Sequence, residues 1–322
     1  MSMMTLESQK VILRALTYVT RFSGHRVAGL ESQIFDEYVR LADKLNKLIV
    51  VADTIRAEPQ EWGKVEVYRA KVIRLPKVYA LTKIYSFIRA VRSKRNEVDL
   101  VYVRTFSPPE LISLWFAKRF LKLPSVLLLA GTWLFEPPSL KNCLYRAILR
   151  RSVHAADTIV LYSKYMVPEL KRYVPDLDEH KVRIVRNAVD TRRFVPGLDD
   201  LQLRLKWGLT PKDKVVLYVG RVNRKKGIED ILDAASLVLK ETKDVRFMFV
   251  GPYEESFIDG LRRKCRQLGM ENAVIFTGPI PNSEMPYYYN LAHIYCIMSR
   301  GGEGIPRSVL EAMACGKPVI ST

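Results

Sequence analysis

Short apolar, β-branched runs alternate with amphipathic stretches along the whole chain. In the first half, strand-like runs occupy residues 11–19, 48–52, 99–104, 125–130, 158–162 and 182–186. Between them, helical spacing predicts helices over 30–45, 79–94, 109–121 and 140–153, with Pro109 suited to a first turn. The second half repeats the rhythm. Strands are expected at 215–219, 245–250, 273–276, 294–298 and 318–321, and helices at 228–240, 257–268, 285–291 and 306–314. In the first of these helices Ile228, Ile231, Leu232, Ala235, Val238 and Leu239 form one apolar stripe.

Strand and helix in alternation predict an α/β protein with parallel sheets covered on both faces, and two such halves predict two doubly wound, Rossmann-like domains. Pro196, Gly197, Asp199 and Asp200 interrupt the apolar pattern. They place the boundary within 187–200, giving domains 1–197 and 198–322. The last strand stops at Thr322, where a doubly wound domain is expected to continue with a covering helix. The expectation is therefore of a C-terminally truncated sequence with lowered stability and weak turnover.

At 322 residues the chain suits two ordinary domains, and 48% apolar residues exclude general disorder. No run approaches the ~18 apolar residues of a spanning helix. The four cysteines form no CxxC pair, so neither a zinc site nor a disulfide framework is indicated, and reduced thiols in a cytoplasmic setting fit. The net charge of +18 is uneven. Residues 1–197 carry 34 basic and 19 acidic side chains, and residues 198–322 carry 18 and 15. The first half thus either meets something anionic (nucleic acid, a membrane face, a phosphorylated lipid) or is merely solubilised by its charge.

Two segments can carry chemistry. Glu303 precedes Gly304, Ile305 and Pro306, and Glu311 follows eight residues later on a helix that Pro306 is suited to open. That spacing spans at most ~12 Å, near the length of a sugar joined to a nucleoside by a diphosphate. One carboxylate can hold sugar hydroxyls and the other ribose hydroxyls, while the helix N-terminus offers N–H groups to phosphate. Two solvated glutamates are the plainer alternative. The second segment, Gly220-Arg221 to Lys226-Gly227, lies between a strand and a helix, outside the carboxyl end of a strand, where open α/β sheets bind ligands. There Arg221 and Lys226 can neutralise a diphosphate. The glycine spacing fits neither a P-loop nor a GxGxxG turn.

These residues resemble the donor half of family 4 glycosyltransferases, which have the GT-B fold of two Rossmann-like domains facing across a cleft. The resemblance rests on Gly220-Arg221-x5-Gly227, on Glu303-x7-Glu311, and on Glu311-Ala-Met-Ala-x-Gly-x-Pro-Val-Ile320. It extends to Arg186-Asn-Ala-Val-Asp190 with Phe194 and Pro196, to Val250-Gly251, to Gly278-Pro-Ile280, and to Ala28-Gly29-Leu30-Glu31. It is strong from Asn187 onward and weak before it.

The resemblance implies a retaining, metal-independent hexosyltransferase with no cofactor. It would move a sugar from a UDP- or GDP-linked donor to a lipid-linked or polysaccharide acceptor. It implies that Arg221 and Lys226 hold the diphosphate, that Glu311 binds ribose, and that Glu303 contacts the sugar near the reacting carbon. Backbone at Gly304 and Ile305 would position the sugar, Gly29 would near the phosphates, and Gly251 and Ile280 would line the nucleotide. Three departures stand out. Ala28 and Ala188 replace family glycines, and the segment 129–133 lacks the family's sugar-side histidine, which neither His25 nor His154 supplies.

The acceptor side is less legible. Tyr102, Trp133 and Phe135 can stack on a sugar or lipid or simply fill a core. Residues 77–95 form a basic amphipathic helix that either lies on an anionic membrane or packs on the sheet with its charges in water. The weighed alternatives are a GT-B epimerase or phosphorylase and a basic, non-catalytic nucleic-acid binder. No nucleic-acid motif is present, so the expectation is a cytoplasmic enzyme, peripheral to the inner membrane face, with no nucleic-acid partner.

Overall fold

In the computed structural model of the chain, residues 13–22, 30–55, 63–75, 78–105, 107–129, 140–300 and 306–322 are described. They divide after Arg186 into two compact units.

The first unit runs β1 (Arg14–Phe22), α1 (Leu30–Lys44), β2 (Lys47–Ile55), β3 (Val65–Arg69), α2 (Tyr79–Ser93), β4 (Leu100–Arg104), α3 (Pro108–Leu121), β5 (Ser125–Leu129), α4 (Leu140–Ala155), β6 (Thr158–Leu161), α5 (Met166–Lys171) and β7 (Val182–Ile184). Its sheet is parallel, ordered β3-β2-β1-β4-β5-β6-β7. The middle of β2, Leu48 to Ala52, is fully buried, as expected of a strand covered on both faces. The strand β3 has no counterpart in the hydrophobic pattern. Only Val65 in it is buried, because it is the sheet's edge and Glu66, Tyr68 and Arg69 leave no clean alternation.

One cluster of charge in this core centres on α2. Lys83 of α2, expected among charges facing water, is instead 4% exposed and lies 2.5 Å from Glu110 of α3. Its ammonium sits over the rings of Tyr18 and Tyr79, 5.1 and 5.7 Å from their centroids. The Tyr18 and Tyr79 hydroxyls both donate to Asp53 at the end of β2. Burial pushes the Asp53 carboxyl up, against the Tyr79 hydrogen bond and the Lys83 charge. The opposite face of α2 keeps Leu81 and Tyr85 in solvent, so that helix hides a cation and shows apolar side chains.

The second unit follows the sequence pattern closely: α6 (Leu201–Lys206), β8 (Lys214–Val219), α7 (Ile228–Glu241), β9 (Val245–Val250), α8 (Glu255–Gln267), β10 (Val274–Gly278), α9 (Met285–Leu291), β11 (Ile294–Ile297), α10 (Arg307–Ala314) and β12 (Val319–Ser321). Its parallel sheet is ordered β10-β9-β8-β11-β12. In α7 the expected stripe is buried except for Val238, which is 39% exposed. Among the described residues, no helix is long and apolar enough to cross a membrane.

Candidate functional site

Strand order decides where a ligand can bind. In the second unit the order reverses between β8 and β11, and open α/β sheets bind ligands at the carboxyl ends of strands at such a reversal. The loop after β8 is the segment 220–227, and the chain leaving β11 leads to α10. Arg221, Lys226 and Glu311 therefore flank one switch point.

Backbone packing explains the glycines. Gly227 ends a short 3-10 turn and starts α7 in the left-handed conformation (φ 62°), and a Cβ there would overlap the carbonyl oxygen of Met298 beyond β11. At Gly251, just past β9, a Cβ would overlap the carbonyl oxygen of Gly220. The loop is pinned by three further bonds. The Gly220 N–H donates to Val250 O (2.9 Å), the Val222 N–H to Pro252 O (2.9 Å), and the buried Tyr218 hydroxyl to Arg221 O (2.9 Å). Arg221 is exposed and Lys226 is partly buried. Burial, then the neighbouring Arg221 charge, push the Lys226 ammonium down to about 8. Two cations held close with one partly desolvated make an electrostatic arrangement that an anion would relieve.

Across the switch point, Pro306 precedes α10 without a side-chain cap. Glu311 lies in its second turn with a side chain 12% exposed. Its Oε2 accepts from the Tyr289 hydroxyl (2.8 Å), and its Oε1 lies 3.3 Å from Arg307 Nε. The Tyr295 hydroxyl is hydrogen-bonded to Ser308 Oγ (2.7 Å) and to the carbonyl oxygen of Val219 (3.3 Å). One buried phenol thus ties the start of α10 to the end of β8. Gly278 closes the row of strand ends by accepting the Gly251 N–H (3.0 Å). Ile280 belongs to the core at 7% exposure. Gly29, Glu303, Gly304 and Ile305 lie outside the described residues, as do Gly131, Trp133 and Phe135.

Sequence reasoning missed Tyr218, Tyr289, Tyr295 and Ser308. A Tyr-Tyr-Tyr run reads as core, and nothing in it says which hydroxyl meets a carboxylate. It also missed a cluster at the first unit's own reversal, between β1 and β4. There Arg104, the last residue of β4, and Tyr102 both bond the carboxylate of Glu37 on α1 (2.5 and 2.6 Å). Tyr102 is 9% exposed and is thereby a core residue rather than a stacking surface.

Two family models match the chain. The one described as Glycosyltransferase Family 4 matches residues 27–193, and Glycosyl transferases group 1 matches 199–322. An alpha-monoglucosyldiacylglycerol synthase of Streptococcus pneumoniae is 25% identical over 244 residues, covering 71% of this chain and 53% of that protein. A GDP-mannose-dependent alpha-(1-6)-phosphatidylinositol monomannoside mannosyltransferase of Mycolicibacterium smegmatis is 30% identical over 187 residues, covering 55% and 47%. The chain spans about half the length of these curated relatives. Among solved structures, Anabaena HepE in complex with UDP superposes with a TM-score of 0.74 at 20% identity, covering 96% of this chain and 80% of that one. Sucrose-phosphate synthase from Thermosynechococcus elongatus gives 0.75 at 17%, covering 96% and 81%. These structural likenesses show the fold, which is GT-B.

Proposed function

Because the chain belongs to glycosyltransferase family 4, we propose that it transfers a sugar from a nucleoside-diphosphate donor to a lipid-linked or glycan acceptor. The observation that carries this is the 220–227 loop, which fixes Arg221 and a partly desolvated Lys226 at the switch point of the second unit. As the glycosidic bond breaks, negative charge gathers on the leaving diphosphate. Two preset cations and the N–H groups at the start of α10 stabilise that charge without needing to reorganise. Glu311 takes the ribose hydroxyls, Glu303 contacts the sugar near its reacting carbon, and anomeric configuration is retained without a metal ion. A thermal-shift panel of UDP, GDP, their sugars and UMP tests the reading, since a bound ligand raises stability by mass action. Diphosphates should shift melting more than UMP does, and a panel with no shift would defeat the reading.

The pH dependence follows from Lys226. Its value in the ligand-free protein lies below that of an ordinary lysine, so a paired diphosphate must draw it back up. Below about pH 8 the lysine is already charged and binding takes up no proton. Above that value each bound diphosphate takes up a proton, and affinity falls by up to about tenfold per pH unit until the bound-state value is reached. Dissociation constants for UDP and GDP measured from pH 7 to 9.5 should show this decline, and Lys226→Arg should flatten it. A flat wild-type profile would contradict the assignment.

The acceptor reading draws on the first unit. Residues 71–95 carry eight basic side chains and no acidic one. Around the exposed face of α2 stand Ile73, Leu75, Leu81 and Tyr85, each 54–66% exposed, beside Lys71, Arg74, Arg89 and Arg92. Apolar side chains in a cationic rim fit an anionic lipid interface, where each basic residue contributes about 1 kcal/mol. Nucleic acid has no part in this reading, and the relatives named for diacylglycerol and phosphatidylinositol acceptors support it. Sedimentation with vesicles containing 30% phosphatidylglycerol should exceed that with phosphatidylcholine, weaken with salt, and fall in Leu81→Glu/Tyr85→Glu. Equal binding to both lipids, or no effect of the double variant, would refute the surface.

A further inference from the structure

We infer that Tyr289 is a positioning residue for nucleotide recognition, presetting the carboxylate of Glu311 for the ribose. This rests on the donor reading above.

A glutamate on a helix rotates about three side-chain bonds, and freezing it on binding costs up to about 2 kcal/mol. Here the freezing is done in advance. The Tyr289 hydroxyl donates to Oε2 at 2.8 Å, and the Arg307 guanidinium stands 3.3 Å from Oε1. A hydrogen bond holds Oε2 and an ion pair flanks Oε1, and a carboxylate has lone pairs enough to accept a ligand hydroxyl as well.

Tyr289 is itself immobile. It comes from a different element, α9, and is fully buried. Its ring packs edge-on to Phe194 (5.8 Å) and tilted against Tyr295 (5.9 Å). The phenol is therefore a fixed point outside α10 that sets the rotamer of a residue on α10. Its neighbours in sequence do other work: Tyr287 is 44% exposed, and Tyr288 accepts from Trp207 Nε1 at 3.2 Å.

Preorganisation of this kind raises affinity only for ligands that use the carboxylate. The readout is the affinity ratio between UDP or GDP and the 2′,3′-dideoxy forms, which keep base and diphosphate but lack the ribose hydroxyls. Wild type should prefer the hydroxylated forms, and Glu311→Ala should abolish the preference. Tyr289→Phe removes one oxygen. It should weaken UDP or GDP binding by about tenfold, leave the dideoxy forms little changed, and spare kcat relative to KM. Tyr288→Phe deletes another buried hydroxyl from the same helix and should leave the ratio unchanged, which separates positioning from general loosening. If Glu311→Ala keeps the preference, or neither nucleotide binds, the ribose reading is wrong and this inference goes with it. If Glu311→Ala abolishes the preference while Tyr289→Phe keeps it, or Tyr288→Phe lowers it equally, positioning by Tyr289 alone is overturned.

Discussion

Arg221→Ala and Lys226→Ala should each lower sugar transfer, or donor hydrolysis without acceptor, by about 10²–10³-fold. The reason is where charge develops. Both cations lie in the loop leaving β8, and on the proposed function a leaving nucleoside diphosphate gains its charge in the transition state, so loss of either should fall on kcat as well as KM. The double variant should cost less than the product of the singles, because both act on one diphosphate and because removing either relieves the other's repulsion. Lys226→Arg keeps the charge and should recover part of the rate, whereas Arg224→Ala, an exposed cation in the same loop, should change the rate little. Full activity in both alanine variants would show that the loop does not face the reaction.

Gly227→Ala should be, with Gly251→Ala, among the most damaging single-methyl additions in the second unit. The added Cβ meets the Met298 carbonyl, and alanine in the left-handed region costs a further 1–2 kcal/mol or so. Together these should destabilise the protein by roughly 3 kcal/mol, with a fall in Tm of several degrees. They should also weaken nucleotide binding, because relief requires the turn bearing Lys226 to move away from β11. Gly208→Ala is the matched control: its φ is 63°, yet nothing lies within 4 Å of its Cβ. It should cost only the conformational strain and leave binding intact. Equal effects at both positions would mean that close approach to Met298 plays no part.

How much of this was legible in the sequence differs between the units for a physical reason. The second unit's strands are short β-branched runs between well-formed amphipathic helices, so the expected 245–250 and 285–291 coincide with β9 and α9. Its cations were legible because glycines mark their loop: Gly227 records a tight approach to the Met298 backbone, and Gly251 one to the backbone of Gly220. In the first unit, β3 was missed because an edge strand with one buried residue carries little hydrophobic signal. Lys83 was misplaced because its partner Glu110 is distant in sequence and sits on another helix. The tyrosines packed behind the ends of β8 and β11 were invisible as chemistry. Tyr287, Tyr288 and Tyr289 are the same letter, and only the fold turns one toward Glu311.

Calorimetric titration of UDP and GDP into the 322-residue chain at pH 8.5, in two buffers of different ionisation enthalpy, tests the proposed role of the 220–227 loop most directly. At least one nucleotide should bind with uptake of a fraction of a proton approaching one, and Lys226→Met should lose both the uptake and most of the affinity. Failure of both nucleotides to bind, or binding of equal strength with equal proton uptake in Lys226→Met, would contradict the assignment of the 220–227 loop to the donor diphosphate.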